Sequence, residues 1–271
     1  MAIFIGHLLL AFSASVDPTF LHTNLAAAVE KKADLTTSTC HYKPLFENRF
    51  GEAVVDANGS CASVQYPEED QVYVVLEGRG SVKYGSTDVP LVKEDYLYLP
   101  ATVPHVLSNN STGELKVAIM RFRTKGFEKA PLPKAPLKAN IEDVATQSVS
   151  GHPAETLYRL LMGDLNSKRD RIASGRVLTS LFLMEIPPGG TNTPHHHERE
   201  EEIYLVLDGH GEMVAGGGMD GIEGRHPAGP GDAYYFRMNC TVGYYSAPGV
   251  KSRILAVRYW HPGMVLSGME H

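Results

Sequence analysis

Short apolar runs with strand-like alternation recur along the chain, and clusters of turn residues separate them. Ile203-Tyr-Leu-Val-Leu207 follows Glu202 directly and is closed by Asp208-Gly209-His210-Gly211. Leu115 to Phe122, Val177 to Ile186 and Arg253 to Tyr259 are equally short and rich in β-branched or aromatic residues, as strands are. Such spacing predicts an all-β protein of sandwiches or barrels. The 26 glycines and 17 prolines supply many turns. Helix is expected to be sparse, a turn or two near Leu25 to Lys32 and in the linker described below.

The pattern also repeats. Gln71-Val-Tyr-Val-Val-Leu-Glu-Gly-Arg-Gly80 matches Glu202-Ile-Tyr-Leu-Val-Leu-Asp-Gly-His-Gly211 at a constant offset of 131 residues. Glu94-Asp-Tyr-Leu-Tyr-Leu-Pro100 then matches Gly231-Asp-Ala-Tyr-Tyr-Phe-Arg237 at an offset of 137, the extra residues falling in the glycine-rich stretch Gly216 to Gly231. This is an internal duplication. The Pro, Lys and Ala-rich segment after Thr124 reads as an extended linker between the copies. The expected organisation is an N-terminal segment 1–39, a first unit 40–123, a linker 124–150 and a second unit 151–271.

Charge narrows the partners. A net charge of −6 with scattered Lys and Arg leaves no basic footprint for nucleic acid. No segment has the length of a membrane span. Met1 to Ser15 is an apolar run followed by small residues, similar to a truncated secretory leader cut near Ser15 but lacking a basic start. An N-terminal strand or helix packing on the barrel is the alternative, so export and a cytoplasmic location both stay open. The three cysteines include no Cys-x-x-Cys pair. A Cys40–Cys61 bridge fits an exported protein; the preferred expectation is that Cys40, Cys61 and Cys240 are buried small hydrophobes.

Candidate chemistry concentrates in Gly189-Gly-Thr-Asn-Thr-Pro-His195-His196-His197-Glu-Arg-Glu-Glu-Glu202. In an extended segment alternate side chains share a face, so His195 and His197 point together and His196 points away. Glu202, opening the next strand, can meet them. Two imidazoles and a carboxylate suit non-haem Fe(II), and also Mn, Ni or Zn. The bland alternative for Glu198 to Glu201 is a solvated charged turn.

Gly189, His195, His197, Glu202 and Gly209 resemble the first motif of the cupin superfamily: glycine, five residues, His-x-His, four residues, Glu, six residues, glycine. The chain resembles a bicupin, which implies two tandem antiparallel jelly-roll barrels and one divalent ion held in the C-terminal barrel. The family's second motif ends in Pro-x-Gly, two residues, His, three residues, Asn. Pro100, Thr102, His105 and Asn109 occupy those places in the first repeat, with Thr102 replacing the glycine. There, however, Val64, Tyr66 and Gln71 stand where His195, His197 and Glu202 stand. His105 is therefore expected to be a pocket residue that organises the barrel mouth or touches a ligand. In the second repeat Val242 replaces the second-motif histidine. The site then works with three protein ligands and open positions, or Tyr244, Cys240 or His226 supplies a fourth, or the barrel is a binding module.

Tyr204 should share the face of Glu202 and touch substrate or serve as a core tyrosine, as Tyr73 would in the first repeat. Arg237 is a candidate partner for a substrate carboxylate, with a surface salt bridge as the plainer reading, and Tyr244 is a second candidate substrate contact. His210, Glu200 and Glu201 are expected to be solvated or to stand behind the ligands. The resemblance implies a metalloenzyme acting on a small polar molecule, with dioxygenase-type chemistry favoured. A metal-dependent isomerase or lyase and a non-catalytic binding or storage protein are the alternatives. Both a monomer and a homodimer fit.

Overall fold

A computed structural model of the protein describes residues 19–46, 49–127, 132–217 and 224–261. The leader-like run 1–15 lies outside the described residues.

The chain begins with β1 (Phe20–Asn24) and continues through β2 (Cys40–Phe46), β3 (Phe50–Val55), β4 (Glu69–Glu77), β5 (Arg79–Tyr84), β6 (Thr87–Val92), β7 (Asp95–Leu99), β8 (His105–Ser108) and β9 (Leu115–Arg123). The linker carries β10 (Leu137–Asn140) and a single 3-10 turn, Ile141–Asp143. After it come β11 (Leu157–Asp164), β12 (Ile172–Gly175), β13 (Leu178–Ile186), β14 (Thr191–His195), β15 (Glu200–Asp208) and β16 (Gly211–Gly216). The last four strands are β17 (Gly224–Ala228), β18 (Asp232–Phe236), β19 (Thr241–Ser246) and β20 (Ser252–Trp260). The expected helix at residues 25–32 does not form. Leu25 to Ala27 make a turn, with the Ala27 and Ala28 amides returning to Asn24, and the following residues run on to pair Lys31 with Tyr42.

Each repeat is a two-sheet jelly roll. The first faces β10-β7-β4-β9-β3-β2 with β6-β5-β8; the second faces β1-β18-β15-β20-β13-β11-β12 with β14-β19-β16-β17. Among the described residues no ladder joins the two sheets of a repeat, so the rolls are open at the seams, and pairing is antiparallel except between β11 and β12. The turn glycines Gly78 and Gly209 show the duplication in the backbone. Both have positive φ, and a side chain on either would strike a backbone carbonyl, Glu114 O or Lys251 O. Thr102 and Asn239, also corresponding residues, both adopt positive φ.

Alternation explains why the central strands are apolar almost throughout. Tyr73, Val75, Leu97, Leu99, Val117 and Ile119 fill the first roll, and Tyr204, Val206, Tyr234, Phe236, Ile254 and Ala256 fill the second. Their neighbours in sequence, such as Val72, Val74, Tyr98 and Met120 against Ile203, Leu205, Tyr235 and Val257, form one shared core between the rolls. Both faces of these strands are buried, so the two-residue period is masked by apolar residues on either side.

The rolls also exchange parts. Strand β1, which precedes the first roll, pairs with β18 of the second, whereas β10, which precedes the second roll, pairs with β7 of the first. Leu21 opposes Tyr235 and Leu137 opposes Tyr98, so the two arms occupy corresponding places. A reciprocal pair of ion pairs, one buried and one half-buried, follows the same symmetry. Arg176 donates to Asp70 with Nε 2.8 Å from Oδ2, beside the Tyr98 hydroxyl. Arg49 in turn meets Glu201, beside the Tyr235 hydroxyl, and donates to Tyr259 at 3.0 Å. Glu201 is therefore buried in the interface rather than solvated, because it shares the face of Ile203 while Glu202 takes the opposite one.

Cys40 and Cys61 form a disulfide across 21 residues, which corrects the expectation of free buried thiols; Cys240 is free and buried. A crosslink over that distance removes enough chain entropy from the unfolded state to contribute about 3 kcal/mol. Replacing both cysteines with alanine is expected to lower stability by that amount in urea unfolding. A thiol reagent should find one reactive group per denatured, unreduced chain, and none in the native protein.

Candidate metal centre

Strand β14 ends at His195, and the chain passes on through exposed His196, while the rings of His195 and His197 stand 4.9 Å apart at 83°. The carbonyl of His197 accepts from the Asn239 amide at 2.8 Å, which fixes the loop. Glu202 enters from β15, between Phe236 and Arg258 on the flanking strands, and is 1% exposed. One donor atom from each of His195, His197 and Glu202 lies within 4.8 Å of the other two.

These residues fit a divalent ion. His195 Nδ1 donates to the Thr193 carbonyl at 2.8 Å, which leaves Nε2 for an ion. His197 Nε2 and Glu202 Oε2 are 3.3 Å apart, yet both are buried without an aligned hydrogen-bond partner. Two ligand atoms about 2.1 Å from one centre stand at roughly that separation. Burial holds His195 below the ordinary histidine range, so its lone pair is available at neutral pH. Burial pushes Glu202 up, but His197, Arg258 and His195 together outweigh it and keep the carboxylate ionised.

Around the donors lies a buried polar chain. Tyr158 donates to Asn192 Oδ1 and Asn192 Nδ2 donates to Tyr204, each at 2.9 Å. Burial and then Glu202 raise Tyr204 well above the usual phenol range, so it is a hydrogen-bonding phenol and not a base. Arg258, directly across from Glu202, holds Glu200 at 3.2 Å. Its counterpart Arg121 holds Glu69 in the first roll, at 2.7 Å. His152, in the turn before β11, sets its ring 5.1 Å from that of His195. The 137-residue offset from Arg121 is a signal in the sequence that points to Arg258. His152 and Asn192 carry no repeat signal.

The other candidates stand elsewhere. The Tyr244 hydroxyl meets Ser252 Oγ at 3.1 Å, six residues along β20 from Arg258, so it is directed to the far end of the roll. Arg237 is exposed just past β18, its amide bonded to the Thr19 carbonyl. His226 packs on Phe20, Cys240 is buried against Gly216, and His210 is exposed.

In the first roll Val64 pairs with His105, and in the second His195 pairs with Val242, so each roll keeps one imidazole at the same cross-strand pair. His105 Nε2 lies 3.2 Å from the Tyr73 hydroxyl and 3.1 Å from Gln71 Oε1, and Nδ1 faces the Val103 carbonyl at 3.2 Å. Burial holds His105 below its ordinary 6.5. The unfolded chain therefore takes up a proton first, and the stability that this neutral ring contributes is present above 6.5 and lost as pH falls. His105→Gln is expected to flatten the fall in urea-unfolding stability between about pH 7 and 5.

Two open jelly rolls, one carrying a His-x-His and Glu donor set, define a two-barrel protein with a candidate metal centre. The cupin domain family matches residues 52–120 and again 182–255, so the chain belongs to the cupin family, with two copies of the domain. Among curated proteins none matches the sequence. Solved structures share the fold. A Pseudomonas aeruginosa protein described as a putative glyoxylate induced protein aligns at a TM-score of 0.71 with 16% identity, over 93% of this chain and 92% of its own. AerE from Microcystis aeruginosa aligns at 0.63 with 18% identity, over 86% and 98%. Oxalate decarboxylase from Bacillus subtilis aligns at 0.63 with 10% identity, over 87% and 75%. Among the described residues no helix is long and apolar enough to cross a membrane.

Proposed function

We propose that the C-terminal barrel is a divalent metal centre, held by His195, His197 and Glu202, at which a small polar organic molecule is oxidised by dioxygenase-type chemistry. The observation that carries the metal reading is the convergence of three donor atoms, from His195, His197 and Glu202, within 4.8 Å of one another, with buried His197 Nε2 and Glu202 Oε2 facing each other at 3.3 Å without an aligned hydrogen bond. An Fe, Mn, Ni or Zn ion held by His195, His197 and Glu202 would supply a Lewis acid, and a redox-active one would also supply electrons for oxygen chemistry. The choice of oxygenation rests on the ligand set, two imidazoles and one carboxylate with open positions.

The chain's own residues supply the rest. Arg258 places a guanidinium beside the donors, suited to orient a substrate carboxylate or enolate oxygen. Tyr204, kept protonated, offers a phenol held by Asn192, which Tyr158 holds in turn. The apolar lining of Phe236, Val242 and Met213 excludes water from the interior behind the site. The N-terminal barrel, with His105 tied to Tyr73 and Gln71, serves as scaffold.

A second reading, a metal-dependent lyase acting on a small carboxylate, draws support from the fold shared with oxalate decarboxylase, a protein described as having Mn(II) centres. Metal analysis of the purified chain tests both readings. About one equivalent of ion per chain is expected, and no binding of added Fe, Mn, Ni or Zn would overturn both. Oxygen uptake with candidate diketones, flavonols or thiols then separates them, since only the oxygenase consumes O₂.

A further inference from the structure

His152 belongs to neither cupin motif, yet it stands at the candidate centre. It lies in the turn between Val149 and Thr156, where its amide reaches the Val149 carbonyl, and its ring packs edge-on against His195 at 5.1 Å and tilted against Tyr158 at 5.4 Å. Its Nδ1 is buried without a partner. The nearby donors His197 Nε2 and Glu202 Oε2 are buried without one as well. Two imidazoles on one ion, with bonds of about 2.1 Å, have ring centres roughly 4.5–5.2 Å apart. Both the His195–His197 and the His152–His195 separations fall in that range. The position at which the cupin pattern carries its second-motif histidine is Val242, on β19, which pairs with His195 on β14.

We propose that His152 is the fourth protein ligand of the C-terminal centre, drawn in with its turn when an ion binds and replacing the imidazole that Val242 lacks. The His152 nitrogens stand outside the 4.8 Å group formed by the other three donors, so ligation requires the turn to close. Gly151, immediately before His152, has φ +87°, and a Cβ at that position would meet no atom within 4 Å, so the turn is not packed against the fold at that point. This inference rests on the metal reading of the barrel, and its test separates the two.

The test is Cu(II) added to the full chain, with pulsed EPR counting the imidazoles coupled to the ion. Three are expected in the native protein, from His152, His195 and His197, and two in His152→Gln. Two in the native protein, or three retained in His152→Gln, would overturn the proposal while leaving the metal centre intact. Failure of the native chain to bind Cu(II), or binding unaffected by His195→Ala with His197→Ala, would instead defeat the metal reading and the proposal with it. A native count of two overturns the proposal without any variant, and His152→Phe gives the same reading as His152→Gln, two imidazoles expected and three overturning, should the glutamine variant fold poorly. A Zn(II) competition titration should show His152→Gln binding at least about tenfold more weakly.

Discussion

His197→Ala is expected to abolish measurable binding of divalent ions, weakening affinity by at least about 100-fold. Loss of a group merely behind a ligand already weakens affinity by about 10- to 100-fold. His197 Nε2 also faces Glu202 Oε2 at 3.3 Å, so its removal takes away the donor beside the carboxylate and leaves only His195 and Glu202 to hold an ion. Unfolding measured with and without metal gives the clearest readout. An ion at a hundred times its dissociation constant stabilises the native protein by about 2.7 kcal/mol. The His197→Ala protein should gain nothing from the same addition. Glu202→Gln should behave alike, since it keeps the volume and removes the charge. Metal-dependent stabilisation that survives in either variant would overturn the assignment.

Arg176→Ala is expected to destabilise the fold by about 3–5 kcal/mol, the cost of leaving a buried charge unpaired. Asp70 is 2% exposed and Arg176 4%, and the Tyr98 hydroxyl shares the pair. Replacing the pair together, with Asp70→Leu and Arg176→Met, should be close to neutral, because both desolvation penalties disappear with the attraction. Urea unfolding of the single and double variants measures the difference. The corresponding Arg49→Ala should cost less, since Arg49 is 34% exposed. A single-variant loss below about 1 kcal/mol would mean that the interface does not depend on this pair.

How much of this is legible in the sequence depends on which contacts are local. The donor set is readable because His195, His197 and Glu202 lie within eight residues, close enough for a short loop between β14 and β15 to bring them together. The duplication is readable for the same reason, and with it the equivalence of Val64 with His195 and of His105 with Val242. Glu201 reads as solvated because its partner Arg49 comes from the other roll, and no local pattern announces an interface between two sheets. His152 and Asn192 reach the site through the fold alone. Tyr244 lies on a strand that borders β14, but its hydroxyl runs along the roll to Ser252 and away from the donors. The disulfide joins β2 to the segment after β3, which is held near β2 by contacts such as the Ala62 amide on the Leu35 carbonyl, and spacing in sequence does not reveal them.

The exchange of β1 and β10 bears on whether the two cupin copies are separable modules. Cut between them, the first half would carry away the edge strand that covers β18, and the second half would carry away the strand that covers β7. Each fragment would then present an open ladder of backbone donors and acceptors, which invites pairing with other chains. The two fragments supplied together would have every missing strand between them. The chain thus has the interlocking of a two-subunit assembly whose members swap arms, closed into one polypeptide by the segment that joins them.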